Sequence, residues 1–360
     1  MRVCFFNQWL GAGGAERTIV TLSREFIKRG IDVDIVLLGN KIEYDLDPKV
    51  NLYIIDDFSG HESFKTIFKK KKKRSLALRK IIEENKPDVL ICLLAPTLFY
   101  TKGLKVPVIS SERSNPLKER TRLKKILTNM LYKKSDGIIF QTNGVKRVFP
   151  KSIVKKGVVI GNPIGNCYKG EPILYKDRIK HVATVGRLFP LKDYPTLLKA
   201  WQLVLKDHPD YILDIYGDGP NEQEYKDLAK SLNIDNNVIF HGVRKDVVDL
   251  IKNVKCFAFA SMCEGMPNGL LEAFASGIPC VSTNCDFGPS DIIEDGVNGL
   301  LVKVGDYDAL AKGINRLIED EEFSNACTIG SKKIFDKYSL EAITNQYIDF
   351  INKVKGDKTK

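Results

Sequence analysis

Short apolar runs alternate with amphipathic stretches along this chain of 360 residues. The first series is Arg2–Asn7, Asp32–Leu38, Asn51–Ile55, Asp88–Leu94, Val106–Ser110, Gly137–Gln141 and Val158–Ile164. Such runs predict strands of a parallel sheet covered on both faces. A second series follows at His181–Gly186, Tyr211–Gly217, Val238–Val243, Cys256–Ala260, Pro279–Ser282 and Gly299–Val302. Between the runs, apolar positions recur at helical spacing, as in Ile19, Val20, Leu22, Phe26 and Ile27 ahead of a stop at Gly30. Further helices are predicted over 64–82, 117–134, 307–319, 322–337 and 340–354. Strand and helix alternate twice over, which predicts an α/β chain of two Rossmann-like doubly wound domains facing a cleft. The domains are expected at 1–165 and 166–337, joined by a linker over 165–177, with 338–360 a C-terminal helix and polar tail. No internal repeat is found.

The length allows two separate cores. Met1–Phe6 is too short for the apolar part of a signal peptide, and the apolar run near Val89–Leu94 falls far short of a membrane span. A cytoplasmic protein is expected. None of the eight cysteines forms a CxxC pair and the four histidines are scattered, so no zinc site is expected. The thiols read as buried and reduced, with Cys263, beside Glu264, the one expected near a ligand.

Charge adds a direction. Residues 1–170 carry 33 Lys and Arg against 16 Asp and Glu, while residues 171–360 carry 23 against 29. A basic first half on a mildly acidic second half suits an anionic surface met by one domain only. Lys69, Lys70, Lys71, Lys72, Lys73 and Arg74 form a basic run inside an apolar helical frame of Phe64, Ile67, Phe68, Leu76, Leu78, Ile81 and Ile82. Two readings stay open: contact with anionic lipid, the apolar side chains lying in the acyl boundary, or a solvated helix face. Nucleic acid is not expected, because no helix-turn-helix or aromatic-interleaved pattern accompanies the run.

Chemistry concentrates at four places. Gly11-Ala-Gly-Gly14-Ala-Glu16 follows the first strand and opens a helix, letting backbone approach a ligand, but it lacks the third glycine of the dinucleotide fingerprint. Ser111-Glu112-Arg113-Ser114-Asn115-Pro116 is a polar cluster just past another strand. Arg187 and Lys192 lie on the loop after His181–Gly186, where an arginine fork and a lysine point charge can clamp a diphosphate. Glu264-Gly-Met-Pro-Asn-Gly-Leu-Leu-Glu272 is a turn that becomes a helix, whose open N–H groups suit phosphate. Its two carboxylates repel phosphate and suit sugar hydroxyls, unless they merely face solvent on an ordinary amphipathic helix.

Gly13-Gly14-Ala15-Glu16, Gly186-Arg187 with Lys192, Gly217-Asp218-Gly219-Pro220, His241-Gly242 and the block from Glu264 to Thr283 stand in the order found in retaining glycosyltransferases of family 4. Over nearly its whole length the chain resembles that family, which has the GT-B fold. It is similar to bacterial transferases that build lipid-linked oligosaccharides, capsules or O-antigens, N-acetylgalactosaminyltransferases among them. The resemblance implies transfer of a hexose or N-acetylhexosamine from a UDP-sugar to a polyprenyl-diphosphate-linked glycan acceptor.

By that likeness the second domain binds the nucleotide sugar. Arg187 and Lys192 would hold the diphosphate, helped by backbone N–H groups at Asn268, Gly269 and Leu270. Glu272 would take the ribose hydroxyls, Glu264 the donor-sugar hydroxyls and Val243 the base, with Gly14 approaching the diphosphate from the first domain. Glu112 and Arg113 would lie on the acceptor side, Arg113 standing where many members carry a histidine. The last helix would return to the first domain. Arg187, Lys192 and Glu264 are the expected catalytic set, in a front-face displacement without metal or cofactor; a covalent Glu264 is the alternative route. The expected location is peripheral, on the cytoplasmic face of the inner membrane. Two other readings are a GT-B UDP-sugar epimerase and a non-catalytic basic α/β protein on an anionic membrane.

Overall fold

The computed structural model describes the chain apart from residues 12, 59–61, 63, 118–120, 166–168 and 360. It forms two compact units, Met1–Pro163 with Leu340–Lys360, and Ile164–Ser339.

The first unit is built on a sheet of seven strands: β1 (Arg2–Asn7), β2 (Asp32–Leu37), β3 (Asn51–Ile54), β4 (Val89–Cys92), β5 (Val108–Glu112), β6 (Gly137–Phe140) and β7 (Gly157–Val159). Their order is β3-β2-β1-β4-β5-β6-β7, and the pairings are parallel. Around it lie α1 (Gly14–Lys28), α2 (Phe64–Asn85), α3 (Arg122–Lys134), α4 (Asn143–Arg147), α5 (Lys151–Val154) and a 3-10 segment, Ala95–Tyr100. Strand β1 is buried from Val3 onward, because helices cover both faces of a parallel sheet. Phe5 stacks on Phe26 of α1 at 6.1 Å between ring centres. The C-terminal helix, Leu340–Thr359, packs against α1 and buries Ile343, Tyr347, Ile351 and Val354.

Helix α2 corrects one expectation. Arg74 is fully buried, its guanidinium donating to Asp56 at 2.5 Å, to both oxygens of Glu62 at 2.6 and 2.7 Å, and to the Tyr100 hydroxyl at 3.0 Å. It cannot meet lipid, since a buried guanidinium keeps its charge only where anions surround it. Lys70 is tied to the same loop, 2.8 Å from Asp57, and Lys71 sits over the Phe99 ring at 3.9 Å. Leu78 and Ile82 are buried in the unit, not offered to an acyl boundary. Lys69, Lys72 and Lys73 remain exposed. The helix expected from Leu117 starts at Arg122, where the Thr121 hydroxyl accepts the Lys124 N–H.

The second unit holds β8 (Ile179–Val185), β9 (Ile212–Tyr216), β10 (Val238–Gly242), β11 (Val254–Phe259), β12 (Cys280–Thr283) and β13 (Leu300–Val302), in the order β10-β9-β8-β11-β12-β13. Its helices are α6 (Tyr194–Asp207), α7 (Glu222–Ser231), α8 (Val247–Ile251), α9 (Asn268–Ala275), α10 (Pro289–Ile292), α11 (Tyr307–Glu319), α12 (Glu321–Gly330) and α13 (Lys332–Tyr338). The single helix expected over 322–337 is two, parted at Ser331, whose hydroxyl bonds back to the Thr328 carbonyl. Trp201 is wholly buried in the core, its indole N–H donating to the Asn237 carbonyl at 3.1 Å.

In each sheet the chain reverses direction of growth once, between β1 and β4 and between β8 and β11. Loops at the carboxyl ends beside such a reversal part from each other and leave a crevice for a ligand. Among the described residues, no helix is long and apolar enough to cross a membrane. Cys4, Cys92, Cys256, Cys263, Cys280, Cys285 and Cys327 are all buried.

Candidate functional site

Of the second unit's predicted residues, Lys192 and Glu264 meet in the loops after β8 and β11. After β8, Gly186 donates its N–H to Tyr216 O at 2.9 Å, and Leu188, fully buried, donates to Asp218 O at 2.7 Å. These bonds fasten the loop to the turn after β9. Gly217 is required there: it holds φ of 135°, and a Cβ would lie 2.0 Å from Gly186 O. Between the fastened ends, Arg187 is exposed, with its guanidinium 4.5 Å from the Phe189 ring centre. The loop closes in a 3-10 turn, Pro190–Lys192, and Asp193 in the left-handed region caps α6 through Thr196 N–H.

The loop after β11 is hung on the same turn. Met262 N–H and the Ser261 hydroxyl both donate to Leu191 O, at 2.9 and 3.0 Å. These two hydrogen bonds to one carbonyl hold the loop where Glu264 lies beside Lys192, with Nζ 2.5 Å from Oε1. Both side chains are largely covered, the amine at 26% exposure and the carboxylate at 10%. Burial, and after it the Glu264 charge, push the thiol of Cys285, after β12, up to about 12.

Helix α9 starts directly behind. Its N-cap is Pro267, which supplies no side-chain cap. Gly269 lets its first turn close on β8, since a Cβ would stand 2.8 Å from Val185 O. Leu270 is buried, and Glu272, one turn beyond Asn268, is buried at 8% exposure. Val243 stands at the end of β10 with 66% exposure. Behind it, Asp214 accepts from His181 Nδ1 at 2.6 Å and His241 Nε2 at 2.7 Å, and Tyr216 stacks on His241 at 4.4 Å. Asp214 went unread in the sequence, where it passes for an ordinary polar position within a strand.

The remaining predicted residues belong to the first unit. Gly14 is the first residue of α1. Two residues on, burial raises the Glu16 carboxyl, against bonds from its own backbone and Asn7 and the charge of Arg113. Glu112 ends β5, its Oε1 accepting Ser114 N–H at 3.0 Å and Oγ–H at 2.8 Å, and its Oε2 accepting the Tyr132 hydroxyl at 3.2 Å. Arg113 donates to Ser111 Oγ at 3.2 Å, Thr18 Oγ1 at 3.0 Å, Asn162 Oδ1 at 2.5 Å and the Tyr347 hydroxyl at 2.6 Å. It thereby ties β5 to α1 and the C-terminal helix.

Comparison with known proteins agrees with both architectures. A family model described as Glycosyltransferase Family 4 matches residues 12–165, and one described as Glycosyl transferases group 1 matches residues 173–334. The chain is 29% identical over 367 residues to GalNAc-alpha-(1->4)-GalNAc-alpha-(1->3)-diNAcBac-PP-undecaprenol alpha-1,4-N-acetyl-D-galactosaminyltransferase of Campylobacter jejuni, covering 99% of each chain. It is 27% identical to that organism's N-acetylgalactosamine-N,N'-diacetylbacillosaminyl-diphospho-undecaprenol 4-alpha-N-acetylgalactosaminyltransferase, covering 94% of this chain and 97% of the relative. Among solved structures, Anabaena HepE in complex with UDP superposes with a TM-score of 0.81 at 18% identity, over 98% of this chain and 100% of that one. The chain belongs to the glycosyltransferases of GT-B fold, a family 4 domain forming its first unit and a group 1 domain its second.

Proposed function

We propose that the chain is a retaining glycosyltransferase that moves a hexose or N-acetylhexosamine from a UDP-sugar to a polyprenyl-diphosphate-linked glycan. The reading is carried by the Lys192–Glu264 pair, set at the mouth of α9 beside the β8/β11 reversal. The relatives are named for undecaprenol-linked N-acetylgalactosamine glycans, which supports the acceptor class.

Lys192 and Glu264 neutralise each other. A bound diphosphate competes for the amine, and the donor-sugar hydroxyls take up the released carboxylate, so one pair recognises both halves of the donor. Arg187 supplies the second cation, and N–H groups at Asn268, Gly269 and Leu270 the helix-end contribution. Glu272 binds the ribose hydroxyls, and Val243 lines the base. The bond from the anomeric carbon to the UDP oxygen breaks as the acceptor oxygen bonds to the same face. The acceptor proton passes to the departing phosphate oxygen, whose growing charge Lys192 and Arg187 hold. No metal is needed for this charge balance. Glu112 and Arg113 shape the acceptor side as positioning groups, since both are engaged within their own unit. The enzyme works peripherally at the anionic cytoplasmic face of the inner membrane.

The test is UDP release from a panel of UDP-sugars, in the presence of chelator, with and without polyprenyl-linked acceptor. Acceptor-dependent release with retained anomeric configuration is expected. Sugar interconversion without acceptor would instead identify an epimerase, and nucleotide binding with no turnover a binding protein.

A further inference from the structure

The first unit leaves one apolar helix face uncovered. On α3, Leu123, Ile126, Leu127 and Met130 recur at helical spacing and so share one stripe. Each is substantially exposed, from 41% at Leu127 to 67% at Leu123. Tyr132, nine positions on from Leu123 and so half a turn away, is the residue α3 buries. The stripe therefore points away from the unit's core. It does not reflect a fraying helix, for both ends are held. Thr121 caps the start, and Lys156 Nζ donates to Lys133 O at 2.6 Å and to Ser135 O at 2.8 Å past the end.

We propose that this face of α3 docks on an anionic lipid bilayer. The occupant follows from charge. From Arg122 to Lys134 the helix carries Arg122, Lys124, Lys125, Lys133 and Lys134 and no acidic residue. An apolar stripe on an in-plane helix with cationic flanks matches acyl chains below and lipid phosphates around it. Helix α2, with exposed Lys69, Lys72 and Lys73, packs on the same 3-10 segment as α3 and adds to the positive field. Lipid contact thus moves from the basic run of α2, whose Arg74, Leu78 and Ile82 face inward, to the apolar ridge of α3. Tyr132 joins this helix to Glu112 at the end of β5, so docking also places the acceptor-side loop near the lipid surface. This last point rests on the lipid-linked acceptor proposed above; the docking itself does not.

The experiment is co-sedimentation of the full chain with vesicles of phosphatidylcholine alone or mixed with phosphatidylglycerol, donor and acceptor omitted. Strong partition onto the anionic vesicles, weakened by salt, is expected, with at least a tenfold loss in the Leu123→Glu/Leu127→Glu variant. That variant should keep the wild-type unfolding temperature, because both side chains are solvent-facing. In parallel, emission of the Ile126→Trp variant should shift to the blue on anionic vesicles. Equal partition of wild type and variant, no partition by wild type, or an unshifted Ile126→Trp spectrum overturns the proposal. A lipid-free dimer that the double variant dissolves would assign the face to a second copy and also overturn it. Vesicle binding in a protein that releases no UDP would leave the docking surface standing and remove the transferase reading alone.

Discussion

Lys192 lies within 2.5 Å of Glu264 because one carbonyl, Leu191 O, anchors the loop that brings the glutamate in. The Lys192→Ala variant should lose most turnover, about 2–4 kcal/mol of transition-state stabilisation, the usual worth of a preorganised charge contact at a leaving group. Single-turnover rates with saturating donor check this; a wild-type rate would remove Lys192 from the clamp. Gly217 makes a separate prediction, about folding. Its φ of 135° and the 2.0 Å approach to Gly186 O leave no room for a methyl group. Gly217→Ala should destabilise the unit by roughly 1–3 kcal/mol through backbone strain alone, read as a lower urea midpoint. The placing of Arg187 and Lys192 on a loop, and of Glu264 and Glu272 on either side of a helix start, was legible in the sequence because glycine and proline punctuate them. Asp214, Ser261 and the anchoring carbonyl were not, since a hydrogen bond to a distant strand leaves no local pattern.

At the scale of the element, α2 shows how a surface reading of charge fails. Lys70, Arg74, Leu78 and Ile82 follow each other at four-residue spacing and so share one face, the last two apolar. Arg74 goes inward with them and is held by Asp56, Glu62 and Tyr100. Arg74→Ala leaves Asp56 and Glu62 to the half-buried Lys70, 3.6 and 3.3 Å away, and should cost about 3–5 kcal/mol, measurable by chemical denaturation. The same network sets a pH dependence. Burial raises the Asp56 carboxyl, but bonds from Asp57 and Arg74 outweigh it and hold the group at about 2. Because the folded value is the lower one, the stabilisation is complete above the ordinary carboxylate range, about pH 4. It fades as pH falls toward 2. An acid titration of wild type should show that loss between about pH 4 and 2, and Arg74→Ala should flatten it.

For the whole molecule, the C-terminal helix belongs with the opening segment of the chain: Tyr347 and Ile351 are wholly buried in the first unit, and Tyr347 accepts from Arg113. Ending the chain at Ser339 should uncover α1 and lower the melting of the first unit while leaving the second unit's transition in place. Differential scanning calorimetry would show this; equal loss in both units would contradict it. Ile164 N–H donates to Tyr338 O at 2.9 Å, so the chain enters and leaves the second unit side by side. That arrangement lets one continuous unit be inserted into a discontinuous one.

Most strand and helix identities, and the placing of Glu264, Asn268 and Glu272 on a turn that becomes a helix, were determined by the sequence alone. Apolar runs, glycine turns and helical spacing act over a few residues, so they are written locally. Tertiary structure decided which charges face solvent and which face a partner: Arg74 turned inward, Arg113 was bound to four acceptors, and the stripe of α3 was left uncovered. Those outcomes depend on what neighbouring elements bring within about 3 Å of a side chain, the reach of a hydrogen bond. Residues far apart in the chain supply that, and no stretch of sequence read by itself contains it.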